Sequence, residues 1–186
     1  TMINEIIEDM KDRGHKTIDT VKREFAHIRT GRANPSVLDD VRVEAYGQLM
    51  PINQLANMAV PEPRQITISP WDLSTAGAVE KAIQKANLGL GVNFDGKILR
   101  VNFPELTEER RKEFVKLAHA RAEEGRVAIR NIRRDANEHL KSMLKQPEIS
   151  EDDEKKALDT IQKLTDDAIE QISHLLNAKE KEIMEV

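Results

Sequence analysis

The chain has 186 residues, 39% hydrophobic, 33% charged and only 3% aromatic, which suits one or two domains. It has no cysteine, so disulfides, thiolate metal sites and cysteine nucleophiles are excluded; no apolar run approaches the roughly 18 residues of a membrane span, and the N-terminus shows no export-signal pattern. A soluble cytoplasmic protein is expected, and its net charge of −4 argues at first against a nucleic-acid partner.

In chain order, Ile3, Ile6, Ile7, Met10, Ile18, Val21, Phe25 and Ile28 recur at three- and four-residue spacing, which predicts an amphipathic helix over 3–29, with Gly14 as a weak point. Thr1, ahead of Met2, is expected to be extraneous. From Gly31 to about Leu106 the pattern changes to alternation with frequent proline. Residues 41–46 and 65–69 read as half-buried strands, and Asp95-Gly96 between 92–94 and 98–101 reads as a type I′ hairpin turn. Ala78, Val79, Ala82, Ile83 and Ala86 place one helix at 75–86, with Ser74 as its cap.

Thr107 then caps a long helix with no proline before Pro147, and Ser150 with Asp153 opens another, on which Leu158, Ile161, Leu164, Ala168, Ile172, Leu175 and Leu176 form the apolar stripe. Three long amphipathic segments with an α/β insert between the first and second predict an α+β chain. Its parts are an elongated three-helix bundle (1–30 and 106–186) and a small inserted domain (31–105), joined by linkers at Thr30, Gly31 and Arg32 and at Pro104 and Glu105. No heptad seam is left over, so a monomer is expected.

Charge is segregated along these elements. Residues 107–134 carry nine bases and five acids, a net of +4, whereas residues 146–186 carry five lysines and twelve acids, a net of −7. Val115, Ala118, Ala122, Ile129, Ile132, Ala136, Leu140 and Met143 form the buried stripe of the second long helix, so the arginines should face solvent in a mostly unpaired set, with Arg126, Arg130 and either Arg133 or Arg134 in one column and Asp135 the nearest acid. Guanidiniums so arranged suit phosphate oxygens, which arginine grips through two N–H groups. Arg29 and Arg32 could extend the patch. The competing reading is a solvated face held by pairs along the helix.

Catalytic signals are poor. The five histidines show no metal-ligand spacing, Leu88-Gly89-Leu90-Gly91 lacks the ending of a phosphate loop, and no nucleophile–base set can be assembled. No catalysis, cofactor, metal site or small-molecule substrate is expected.

The runs 28–36, from Ile28-Arg29-Thr30-Gly31-Arg32 onward, 106–112 (Leu106-Thr107-Glu108-Glu109-Arg110-Arg111-Lys112), 127–137, containing Arg130-Asn131-Ile132-Arg133-Arg134, and 149–152 closely resemble the bacterial ribosome recycling factors, as do 78–83 and 88–90 in the insert. The likeness covers essentially the whole chain. It implies a three-helix bundle joined by a two-stranded hinge to a β/α/β domain, L-shaped and of transfer-RNA dimensions. It implies a factor that binds the post-termination 70S ribosome and, with elongation factor G and its GTP hydrolysis, splits it into subunits. Carried onto this sequence, it implies large-subunit rRNA contacts at Arg130, Arg133 and Arg134, supported by Arg29, Arg32 and Arg110, and no bond chemistry.

Overall fold

A computed structural model describes residues 2–144 and 149–185; Thr1 and Pro147 lie outside the described residues. The long helices are α1 (Met2–His27), α3 (Glu108–Leu144) and α4 (Glu151–Met184). Both expected caps form: Thr107 Oγ1 accepts from the Arg110 amide at 3.1 Å and Ser150 Oγ from the Asp153 amide at 3.1 Å. At 37 residues, α3 is a rod of about 55 Å.

The chain forms two compact units. One takes in the chain up to Phe25 together with Lys116–Glu180, and the other Ala26–Val115 with the chain from Lys181 on. In the helical unit, Arg13 reaches Asp135 at 2.9 Å and Arg121 reaches Glu24 at 3.9 Å, so α1 and α3 run antiparallel. His119 of α3 contacts Glu180 while Arg126 contacts Ser173, so α4 also opposes α3. The three helices close on Gly125, where a Cβ would stand 2.6 Å from Val21 Cγ2 and 3.3 Å from Ile172 Cδ1. The stripe of α3 is buried as expected except at Val115, which is half-buried. On α4 the buried row is Ala157, Ile161, Thr165, Ile172, Leu176 and Ile183, and Leu158 is 39% exposed. Thr165 is accommodated in that row because its hydroxyl donates to Ile161 O at 2.8 Å.

In the other unit, β1 (Arg42–Ala45) and β2 (Gln48–Pro51) form a hairpin. β3 (Ala56–Glu62), β4 (Gln65–Pro70), β5 (Gly91–Phe94) and β6 (Leu99–Asn102) make an antiparallel sheet of order β3-β4-β6-β5. Helix α2 (Ala76–Lys85) packs on β1 and β5. Ile66, Ile68, Leu99 and Val101 alternate inward from the two central strands, beneath Val79 and Ile83 of α2.

Three local expectations are corrected. The type I′ geometry expected at Asp95-Gly96 lies instead at Tyr46-Gly47, where both residues have positive φ (55° and 76°). At the second hairpin only Gly96 is left-handed (97°), and Asp95 stands before the turn, its carboxylate accepting from the amides of Lys97 and Ile98. Ahead of α2 the capping side chain is Asp72, which accepts from the amide of Ser74 at 3.0 Å and its hydroxyl at 2.7 Å; a turn of 3-10 helix (Leu73–Thr75) intervenes. The strands β2 and β3 carried no expectation. β3 is an edge strand, and its register shifts between Ala59 and Glu62, which lets Pro61 sit there without a ladder hydrogen bond.

Candidate nucleic-acid interface

The arginines of α3 are graded rather than uniformly free. Arg126 donates to Glu123 Oε2 at 3.3 Å and to Ser173 Oγ of α4 at 3.5 Å, and its side chain is 19% exposed. Arg130 donates to the other oxygen, Glu123 Oε1, at 3.1 Å and is 39% exposed. The expected mostly unpaired column is therefore corrected in its first half. The pairing acid lies one turn before Arg126 and two before Arg130, so one carboxylate serves both. Arg130 first and Arg126 second hold the Glu123 carboxyl below its ordinary pKa.

Beyond Arg130 no described acid pairs with the arginines of this face. Arg133 is half-buried, and among the described residues its side chain makes no hydrogen bond or ion pair. Arg134 is exposed and donates only to a neutral oxygen, Asn131 Oδ1 at 3.2 Å. Asp135, the nearest acid in sequence, is engaged by Arg13 of α1. Val127, an exposed apolar side chain one turn before Asn131, joins this face without having been anticipated. The missed signal for Glu123 was its spacing of three and seven residues to two arginines.

The remaining arginines lie in the sheet-containing unit. Arg32 is exposed, and among the described residues its guanidinium has no partner. Arg110 is exposed, pairs with Glu113 at 3.1 Å and lies over the Phe114 ring at 5.0 Å. Arg29 differs from both. It is 5% exposed, donates to the Pro104 carbonyl at 3.0 Å and lies over the Phe103 ring at 5.5 Å. Burial, then the nearby charge of Arg110, lowers its pKa. Arg29 is thus held by an internal contact in this structure, which ties the end of α1 to the segment leading into α3.

The two stretches expected as linkers both lie inside the sheet-containing unit and are pinned on the same turn of the sheet. The Ala33 amide donates to Pro63 O at 2.7 Å, and the Phe103 amide to Arg64 O at 2.8 Å, with Arg64 also paired to Glu105 at 3.2 Å. Thr30 is buried and its hydroxyl accepts from the Arg32 amide at 3.2 Å.

Among the described residues no group of histidine and carboxylate side chains is placed to hold a metal. His27 lies against Asp39 and Asp40, and His174 against Glu170, as isolated surface pairs. No described helix is long and apolar enough to cross a membrane.

Comparison with known proteins agrees along the length of the chain. The family model described as ribosome recycling factor matches residues 21–184. The ribosome-recycling factor of Syntrophomonas wolfei is 54% identical over 185 residues, covering all of both chains, and that of Halothermothrix orenii is 50% identical over the same length. A solution structure of a ribosome recycling factor superposes with a TM-score of 0.78 at 42% identity, covering 100% of this chain and 99% of the other. Another structure, described as models for the T. thermophilus ribosome recycling factor and the E. coli elongation factor G bound to the E. coli post-termination complex, gives a TM-score of 0.69 at 42% identity over 98% of this chain and 99% of the other. With matched family residues, full-length relatives and the same fold, the chain belongs to the ribosome recycling factor family.

Proposed function

We propose that this chain binds the post-termination ribosome in the cytoplasm and, with elongation factor G, splits it into subunits for a new round of protein synthesis. GTP hydrolysis belongs to the partner factor, and this chain supplies binding and a lever rather than bond chemistry. Large-subunit rRNA is held by Arg130, Arg133 and Arg134, with Arg32 and Arg110 as outlying contacts and Arg29 supporting the joint from within. The observation that carries the assignment to residues is the unpaired state of Arg133 beside exposed Arg134, on a helix whose other face is buried. Phosphate contacts of this kind make binding steeply salt-dependent.

The hinge in this reading is formed by Thr30, Gly31, Arg32, Pro104 and Glu105, with the bundle taken as 1–30 and 106–186 and the inserted domain as 31–105. A rigid cross-link between the two domains then leaves ribosome binding intact and impairs splitting; unimpaired splitting by the locked protein would sink the hinge.

The direct test is light scattering of purified post-termination ribosomes mixed with the protein, elongation factor G and GTP. Wild type produces a GTP-dependent fall in scattering. Arg133→Ala loses it, binds ribosomes roughly tenfold or more weakly and shows a salt slope lower by about one, while its circular dichroism and melting stay at wild type. A collapse of folding in Arg133→Ala would make that arginine structural, and no fall with wild type would remove the recycling assignment.

A further inference from the structure

The bridging carboxylate at Glu123 has no evident need to be where it is for packing. Its side chain is 55% exposed, on the same rim as the arginines, and exposed pairs along a helix add little stability. Its placement relative to the guanidiniums is nonetheless specific. One oxygen accepts from Arg126 and the other from Arg130, so the carboxylate takes up N–H groups of two arginines that would otherwise meet a phosphate. Arg126 is also held by Ser173 and largely covered, whereas among the described residues Arg130 has no partner besides this one acid.

Resting on the rRNA-binding reading above, we propose that Glu123 is a built-in competitor for the RNA phosphate at Arg130, which keeps the grip of α3 below the strength that its arginines could reach. The anion that binds must displace the carboxylate or approach against its charge, while Arg133 and Arg134 bind without such competition. A factor that acts in repeated rounds has to leave its ribosome, and a weakened contact in the middle of the arginine row favours release without removing the anchor at its end.

The test is ribosome affinity of Glu123→Gln and wild type, measured as full-length proteins on purified post-termination ribosomes across a salt series. The amide keeps the shape and removes the charge. Glu123→Gln is expected to bind about threefold tighter at low salt, the factor that one unit charge gives across roughly 6 Å at a water-like dielectric. The gain should shrink as salt screens it and vanish when Arg130 is also replaced by alanine. Equal or weaker binding by Glu123→Gln would overturn the proposal, as would a gain that survives in the Arg130→Ala background. The outcomes separate from those of the parent reading. If Arg130→Ala and Arg133→Ala leave affinity unchanged, the RNA face itself is misassigned; if both weaken binding and Glu123→Gln changes nothing, only the competitor role fails. Unaltered circular dichroism of Glu123→Gln confirms that the comparison is between folded proteins, and Glu123→Ser, which also removes the bridge, repeats the measurement if it is not.

Discussion

The helical unit and the sheet-containing unit treat charge in opposite ways. Along α1, α3 and α4 the buried side chains follow a narrow stripe, and most of each circumference remains in water, where arginines and carboxylates are displayed at little cost. The sheet unit concentrates its apolar side chains into one core fed by both central strands and α2, and Arg29 in this unit is turned inward onto a carbonyl and a ring. Arg29 and Arg133 have the same side chain and both lie in runs that resemble the family, yet Arg29 is bonded within the fold while Arg133 has no partner among the described residues. Surroundings, not residue type, make that difference.

Substitutions can break this contrast at several strengths. The largest loss is expected for Leu99→Ala, about 2–5 kcal/mol in equilibrium unfolding, because its side chain is completely buried in the sheet core; Leu158→Ala, at a 39% exposed position of α4, should cost much less, about 0.5–1 kcal/mol. Equal losses at the two sites would erase the distinction between core and stripe. Gly125→Ala comes next, at about 1–3 kcal/mol by urea titration, since the added methyl would stand 2.6 Å from Cγ2 of the branched Val21. An unchanged midpoint there would mean that the helices can separate freely.

Arg29→Ala should cost about 1–3 kcal/mol by leaving the Pro104 carbonyl without its donor, and should lower the melting temperature without changing the salt slope of ribosome binding. A changed slope with unchanged melting would instead place Arg29 on the RNA.

The smallest expected effect lies at the Asp95 turn. Backbone amides, first that of Ile98, together with Arg100 hold its carboxyl well below the ordinary carboxylate range. A depressed folded-state pKa means that the stabilisation is fully present above the unfolded pKa of about 4 and is lost as pH falls below it. Acid titration of wild type against Asp95→Asn should therefore show a slight wild-type advantage near neutrality that narrows only in that acid range. An advantage that persists unchanged at the lowest pH would assign the effect to something other than ionisation.

Much of the helical organisation was legible because helix signals are local. Thr107 and Ser150 cap from three residues away, and the stripe of α3 could be counted along the chain. Strands were less legible. β2 is short and only partly buried, and the prolines at positions 61 and 63 disguised β3, whose edge position removes the usual objection to Pro61. Turn type was misplaced by the familiar look of Asp95-Gly96, while Tyr46-Gly47 adopted the left-handed pair, with Tyr46 held by a 2.7 Å hydrogen bond from its hydroxyl to Asp72, 26 residues away.

What the sequence determined by itself was the set of amphipathic helices, the inserted domain of alternating strands, the basic character of α3 and the family to which these residues are similar. Tertiary structure alone decided which charges are spent. Arg13 takes Asp135 across 122 residues, Pro104 takes Arg29 across 75, and Ser173 helps to cover Arg126 across 47. Periodicity reports which side of a helix is apolar, because that depends on neighbours three and four residues away; the partner of a guanidinium depends on which distant backbone or carboxylate the fold brings within about 3 Å, and nothing in the local pattern encodes that distance.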